Sequence, residues 1–556
     1  MPIFEDDKKQ EQIEEMRKKE AEDLAKILSQ RYGLPYLDLS GITIDIDALK
    51  ILPEAEAREA KMAVFQKVGQ KLQTAIESPN PEKTKRTVKD LENKGYKINL
   101  FMVSEESLKN AWKRYAEVPQ YEEIARGVID ISSEKLEEFL KQTSTLEDLK
   151  NIFVASAATQ KNRKISEVLE IILAGAIAAD ASDIHIEPQD GQVRLRMRLD
   201  GVLHDILSFD YKVYNLLLSR IKLVSGLKLN IHNQAQDGRF SIRLAKKEIE
   251  VRSSVIPESY GESIVLRVLN PESIDIRMEG LGMEPLLLSI VEKELKKPNG
   301  MILTTGPTGS GKSTTLYAFL KKIYTPGTKI ITLEDPVEYH VEGVVQTQVE
   351  EASGYTFSNG LRSILRQDPD VIMVGEIRDL DTARTAMNAA LTGHLVLSTL
   401  HTNNAAGTIP RLVDLGVTPS AIAPAVNLTM AQRLVRKLCD KCKEKTPANA
   451  EESEIVRKTI ASLPENYPKP ETGEVFLWRA KGCPACNNIG YKGRIGVFEA
   501  ILINEELEPL ILTSPGETEI LKESRKQGLP DMKQDGVLKV LKGVTSLDEL
   551  QRVVDV

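Results

Sequence analysis

From residue 300 onward the apolar positions gather into short, nearly unbroken runs, MILTT, KIITL, VIMV and LVLST, with helical stretches between them. A strand buried on both faces has no reason to alternate, so this pattern predicts a parallel sheet covered by helices, a doubly wound α/β core. Upstream the pattern differs. Residues 164–275 open with an apolar helix at 165–179 and continue with HIEPQDGQVRLRMRLDGVLHDI, where apolar and polar positions alternate between two Asp-Gly turns. Alternation of period two predicts antiparallel strands with one wet face. After the helix YNLLLSRIKLVSG, Phe240, Ile242 and Leu244 alternate again, and Ile249, Val251 and IVLRVL extend the same sheet, giving an α+β domain rich in arginine.

Nearer the N-terminus, turn-punctuated segments such as YGLPYLDLSG and ESPNPEKTK alternate with helical stretches over residues 31–118, enough for a small α/β domain. Residues 1–30 interleave acids and bases around a sparse stripe of Ile13, Met16, Leu24 and Ile27 and are expected to form a charged helical extension that docks or frays. The polar stretch 119–163, containing EKLEEFLKQTSTLEDLK, is expected to be a linker. Residues 276–556 form the remaining division.

Composition narrows the classes. With 556 residues the chain exceeds what one core can serve, and the absence of a run of roughly 18 apolar residues argues against a membrane span. A cytoplasmic location is expected. The net charge of -8 supplies no global attraction for a polyanion, so direct nucleic-acid binding is not expected.

The candidate chemistry begins at GPTGSGKS, residues 306–313, placed between the apolar run MILTT and a helix. In Gly306, Pro307, Thr308, Gly309, Ser310 and Gly311 the glycines permit a backbone whose N–H groups can wrap a phosphate at a helix N-terminus. Lys312 would reach the β- and γ-phosphates of ATP, while Ser313, helped by Thr314, would place a hydroxyl on Mg²⁺. Hydrolysis needs a carboxylate from a neighbouring strand end. Glu334 and Asp335 in IITLEDPVEY, and Glu376 in DPDVIMVGEIRD, occupy such ends.

All four cysteines fall in two pairs, Cys439 and Cys442 in CDKC and Cys483 and Cys486 in CPAC, 40 residues apart. Two such knuckles can supply four thiolates to a structural Zn²⁺, and the insertion 439–486 is expected to be a zinc-bearing appendage. A redox pair or unrelated buried thiols would leave the pairing of every cysteine unexplained.

These motifs, in this order from about residue 165 to the C-terminus, resemble those of the ATPases that power type II secretion and type IV pilus assembly. TLEDPVEY is similar to the family's aspartate-rich box, LRQDPDVIMVGEIRD to its Walker B region and TGHLVLSTLHTN to its histidine box. The resemblance implies a RecA-like core preceded by an α+β, PAS-like domain. It implies that Glu334 is general base, that Glu376 supports the magnesium or polarises the attacking water, and that Asp335 lies at the nucleotide. It also implies that His394 and His401 sense the nucleotide state, although their spacing fits a structural role equally well. Arg239 in QDGRF and Arg252 in EVRSS match the arginines that close over the phosphates. The tetracysteine insertion points to an extension or secretion motor, since retraction motors lack it.

The implied assembly is a hexamer, peripheral on the cytoplasmic face of the membrane, whose N-terminal domain docks on a polytopic inner-membrane platform protein and an associated docking protein. Some members bind cyclic di-GMP through repeats beginning RLGxxL. Here RYGLPYL departs from that arrangement, and cyclic di-GMP binding is not expected. A DNA-uptake or conjugation motor of the same superfamily, and a non-hydrolysing nucleotide-gated scaffold, are the rival readings.

Overall fold

The computed structural model describes residues 19–42, 44–49, 51–93, 95–117, 128–131, 150–151, 165–244, 247–270, 276–471 and 473–555. The chain divides into two compact units, Met1–Glu123 and Ile124–Val556.

In the first unit, β1 (Met62–Val68) and β2 (Lys71–Ile76) form an antiparallel hairpin. The chain then crosses over through α1 (Glu82–Asn93) so that β3 (Lys97–Met102) pairs parallel with β2. Helix α2 (Glu105–Lys113) follows, its first turn capped by the Ser104 hydroxyl, which accepts from the Ser107 N–H at 3.0 Å. Leu49, Leu52, Met62, Leu72, Ile76, Met102 and Leu108 make the core. Residues 19–32 are helical, but this helix turns Ala25 and Leu28 toward the core and leaves Leu24 and Ile27 exposed. Its seat is polar: Glu22 accepts from the hydroxyls of Ser104 and Tyr36 at 2.5 Å each. Ile13 and Met16 of the expected stripe lie outside the described residues.

The second unit holds two seven-stranded sheets. The first contains β4 (Val128–Ile131), β5 (Asp183–Gln189), β6 (Gln192–Leu199), β7 (Val202–Phe209), β8 (Gln236–Leu244), β9 (Lys247–Glu258) and β10 (Gly261–Leu269), in the order β4-β8-β9-β10-β5-β6-β7. All neighbours are antiparallel except β4, which joins the β8 edge in parallel. Thus four residues of the stretch expected to be a linker are strand: VIDI is β-branched at three positions and the edge of β8 offers it a free row of backbone partners. Most of the remainder of 119–163 lies outside the described residues. Helices α3 (Ile165–Ala178) and α4 (Tyr211–Val224) pack Leu169, Ile172, Leu217 and Ile221 on the apolar face formed by Ile184, Val193, Leu195, Val251 and Leu266. Among the alternating polar positions, Arg194 and Arg196 pair with Glu187, and Arg198 and Arg267 pair with Asp183.

The last sheet contains β11 (Gly300–Thr305), β12 (Ile330–Glu334), β13 (Val345–Gln348), β14 (Val371–Val374), β15 (Leu395–Leu400), β16 (Val426–Leu438) and β19 (Tyr491–Leu502), in the order β13-β12-β14-β15-β11-β16-β19. Every pair is parallel up to β16, and β19 runs antiparallel to it. The four apolar runs are therefore β11, β12, β14 and β15, whose burial is complete along their length. Helices α5 (Lys312–Ile323), α6 (Phe357–Ile364) and α7 (Leu380–Leu391) are drawn from the stretches between them. Between β16 and β19 the chain makes a small appendage of β17 (Glu444–Pro447), α8 (Ala450–Ala461) and β18 (Phe476–Arg479). The two sheets of this unit meet where the Gly493 N–H donates to the Asp200 carboxylate at 2.9 Å.

Candidate functional site

The carboxyl ends of β11, β12, β14 and β15 share one edge of the last sheet, where an open α/β sheet presents its ligands. Gly306 follows β11, Glu334 ends β12, Glu376 lies just after β14 and His401 just after β15. One edge thus gathers four of the expected segments.

At the loop, two glycines are dictated by contact as well as conformation. Gly306 has φ +146°, and a Cβ there would stand 2.6 Å from the Gln432 carbonyl oxygen. Gly311 has φ +89°, and its Cβ would meet Gln432 Nε2 at 2.7 Å. Strand β16 therefore presses on the loop from behind. The Lys312 ammonium folds back onto the loop's own carbonyls, 2.8 Å from Gly306 O and 3.2 Å from Pro307 O. Burial lowers its pKa below the ordinary lysine value, the Glu376 charge opposes that shift and the Arg433 charge adds to it. The Ser310 hydroxyl is buried and, among the described residues, has no hydrogen-bond partner. Ser313 is exposed at the first turn of α5. A cation held, among the described residues, by neutral carbonyls alone and an orphaned hydroxyl, both on a glycine loop at a helix N-terminus, suit a polyphosphate.

The two glutamates sit in different surroundings. Glu334 is 4% exposed and accepts from the Tyr317 hydroxyl, from Thr332 Oγ1 at 2.5 Å and from Gln346 Nε2 at 3.0 Å. Tyr317 in turn has its pKa raised by burial and by the Glu334 charge. Glu376 pairs with the Arg378 guanidinium and stands 3.4 Å from His401 Nε2. The same Arg378 feels Asp335, which is exposed beside the end of β12.

Arg252 and Arg239 are direct cross-strand neighbours on β9 and β8. Arg252 crosses to the aspartate-rich segment within the same chain, donating to Glu338 Oε2 at 3.0 Å and to the Val337 carbonyl at 2.8 Å. Arg239 is exposed beside it. His394 is not brought to the loop. It precedes β15 while His401 follows it, so six strand residues separate them, roughly 20 Å of extended chain. His394 Nδ1 instead lies 3.1 Å from the Ala389 carbonyl near the end of α7. Spacing in the sequence could not show that the two histidines occupy opposite ends of one strand.

Four partners escaped the sequence reading. Arg378 lies two residues after Glu376, a spacing that could have flagged it. Tyr317 reads as an ordinary helix residue, and Gln432 and Arg433 as an ordinary strand pair.

The cysteines form a separate centre. Their sulfurs lie within 4.8 Å of one another, with Cys439–Cys483 at 3.9 Å and both Cys442–Cys486 and Cys483–Cys486 at 3.8 Å. A tetrahedron with Zn–S bonds of about 2.3 Å has edges of about 3.8 Å, so the four thiols can hold one zinc ion. Although burial opposes it, the N–H groups of Cys483 and Gly490, each 3.2 Å from Cys486 Sγ, hold that thiol's pKa down, as a ligating thiolate requires.

Residues 158–552 match the family described as Type II/IV secretion system protein. The chain belongs to this family. Residues 32–121 match a second family, the MshEN domain. Among relatives, the chain is 34% identical over 530 residues to the type IV pilus assembly ATPase PilB of Myxococcus xanthus, covering 95% of this chain and 90% of that one. It is 45% identical over 389 residues to the type II secretion system protein E of Aeromonas hydrophila, covering 70% and 75%. The X-ray structure of the ATPase DotB of Yersinia pseudotuberculosis shares the fold with a TM-score of 0.51 at 17% identity, over 71% of this chain and 95% of that one. The family member described here is thus an ATP-binding ATPase with a RecA-like core. Among its described residues no helix is long and apolar enough to cross a membrane.

Proposed function

We propose that this ATPase is a hexameric motor that hydrolyses ATP to drive assembly of a pilus or pseudopilus, or secretion of the type II kind, through an inner-membrane platform. The observation that carries the reading is the meeting of Lys312, Glu334 and Glu376 at one sheet edge in a chain that also bears the tetracysteine centre. Lys312 and the loop amides take the phosphates, and Ser313 with Thr314 takes Mg²⁺. Glu376, facing the Lys312 charge, supports the metal. Glu334 is the general base: a carboxylate offers about four acceptor sites, and with three donors fixed on it one remains for the attacking water. Asp335 and Arg378 lie alongside. Arg252 already bridges the preceding domain to the aspartate-rich segment, so closing that domain over the γ-phosphate shifts an existing contact rather than building a new one. His401 reads the state of Glu376, and Arg239 faces the phosphates with Arg252. Zinc, held by the four cysteines, supplies rigidity to the appendage and no open coordination position.

The N-terminal unit docks on the platform and its docking protein, which places the motor peripherally on the cytoplasmic face. The test is sedimentation of the purified chain with a non-hydrolysable ATP analogue, together with phosphate release. A six-fold mass and turnover lost in Lys312→Ala and Glu376→Ala support the motor. A chain that stays monomeric with the analogue, or a variant that keeps its turnover, would sink it.

A further inference from the structure

Arg433 has no place in the reading above, yet it stands where three parts of the ATP site meet. It lies on β16, beside the loop: a Cβ on Gly306 would come within 3.1 Å of Arg433 Nη1. Its Nη1 donates to the Gln432 carbonyl at 3.1 Å, the same oxygen that presses on Gly306. Its Nη2 donates to the Asn403 carbonyl at 2.9 Å, two residues after His401. Burial lowers the guanidinium's pKa below its ordinary value, with the Glu499 charge opposing, and among the described residues it makes no ion pair. A half-buried cation held by backbone carbonyls alone is an expensive arrangement unless its position matters.

What it holds is the segment 401–405. Thr402 is bound to Thr305 at the end of β11, its N–H donating to Thr305 Oγ1 at 2.7 Å. The Ala405 N–H donates to Glu499 Oε1 at 2.6 Å, and Asn404 Nδ2 to Glu517 at 2.5 Å. Two side chains of the strand that backs Gly306 tie this segment to it: the Thr429 hydroxyl donates to the Ala405 carbonyl at 3.2 Å, and Arg433 holds Asn403, the tie nearer to His401. His401 stands at the segment's start, against Glu376. We infer that Arg433 is a positioning residue for ATP hydrolysis: by strapping Asn403 to β16 it fixes His401, and through it Glu376, relative to the phosphate loop. Gln432 completes the brace from the same strand, its Oε1 accepting from Thr315 Oγ1 of α5 at 2.7 Å.

This inference rests on the site assigned to Lys312 and Glu376, and its test separates the two. In the full-length protein, Arg433→Met is compared with Arg433→Lys and Lys312→Ala for kcat, KM and the dissociation constant of a fluorescent ADP. Expected for Arg433→Met is a kcat reduced about 10- to 100-fold with ADP affinity within about threefold of wild type, because misplacing a catalytic group slows chemistry without removing a phosphate contact. Arg433→Lys, which can still donate to the Asn403 carbonyl, should recover part of kcat, a rescue that a loss of general stability would not give. If Arg433→Met does not fold, Arg433→Lys alone must still lower kcat with ADP affinity retained. Wild-type kcat in both Arg433 variants, beside an inert Lys312→Ala, overturns the role of Arg433 alone. A fall in ADP affinity that accounts for the whole loss makes Arg433 a direct phosphate ligand and overturns the positioning role. A Lys312→Ala enzyme that still turns over removes the site and this inference together.

Discussion

One strand serves two sites built on opposite plans. Strand β16 passes the phosphate loop at Gln432 and Arg433 and delivers Cys439 one residue after its end. The cysteine centre is closed: four like ligands already lie at tetrahedral spacing, and backbone amides serve one of the sulfurs directly. The phosphate loop is the reverse, a place where Lys312 rests on neutral carbonyls although a glutamate lies close enough to feel its charge. An ammonium is attracted by the full negative charge of a phosphate as well as by its acceptor oxygens, which neutral carbonyls cannot match, so a phosphate would displace those carbonyls. On the proposed function, the difference separates a site that would exchange its ligand each cycle from one that would keep it.

The largest effect that sharpens this contrast is Lys312→Ala. Turnover by phosphate release should fall about 10³-fold, the scale of removing a charge that stabilises the transferring phosphoryl group. Zinc content by atomic absorption should stay at one per chain. Loss of metal in this variant would break the separation of the two sites. The complementary variant, Cys486→Ser, should lose the metal and lower the unfolding temperature, since metal affinity at a structural site is folding free energy. Its nucleotide affinity should stay within about threefold of wild type, because β16 is held beside the loop by its own pairing, Thr305 opposite Ala431 and Ala431 opposite Glu499.

The two sites were not equally legible in the sequence. The cysteines needed only spacing, because all their ligands come from two knuckles. The loop, Glu334 and Glu376 were legible because each sits at the end of an unbroken apolar run, which fixes both the strand and the edge it reaches. What was hidden depends on which strands become neighbours. Nothing in AQRLVRKL says that it lies behind Gly306, since β16 is distant in sequence and placed there only by the sheet order. VIDI gained its strand from an edge supplied more than a hundred residues later. The surroundings of Glu334 were hidden for the same reason: Gln346 comes from β13 and Tyr317 from α5.

A smaller effect tests the bridge between the two sheets. Arg252 and Glu338 are both partly exposed, so their pair should contribute less than about 1 kcal/mol to stability. Arg252→Ala should therefore leave the melting temperature nearly unchanged while lowering kcat about 10²-fold, the scale of removing one charge-stabilising donor. Arg239→Ala should show the smaller loss, because Arg239 has no comparable hold on the aspartate-rich segment. Equal losses would mean that the bridge to Glu338 says nothing about the closed state.

The smallest effect concerns the histidines, and it asks whether the proposed catalytic edge of the sheet is as local as its geometry. His401 touches Glu376 at 3.4 Å, whereas His394 stands at the far end of β15 with its ring against the Ala389 carbonyl. Removing a hydrogen bond of that kind costs about 0.5–1.5 kcal/mol of stability. His394→Ala should thus lower the unfolding temperature by a few degrees and leave kcat within about twofold, while His401→Ala lowers kcat about tenfold. Both are read in one series of steady-state rates and melting curves. A tenfold kcat loss in His394→Ala with an unchanged melting curve would mean that β15 transmits nucleotide state along its whole length, and the catalytic centre would then extend to the opposite edge of the sheet.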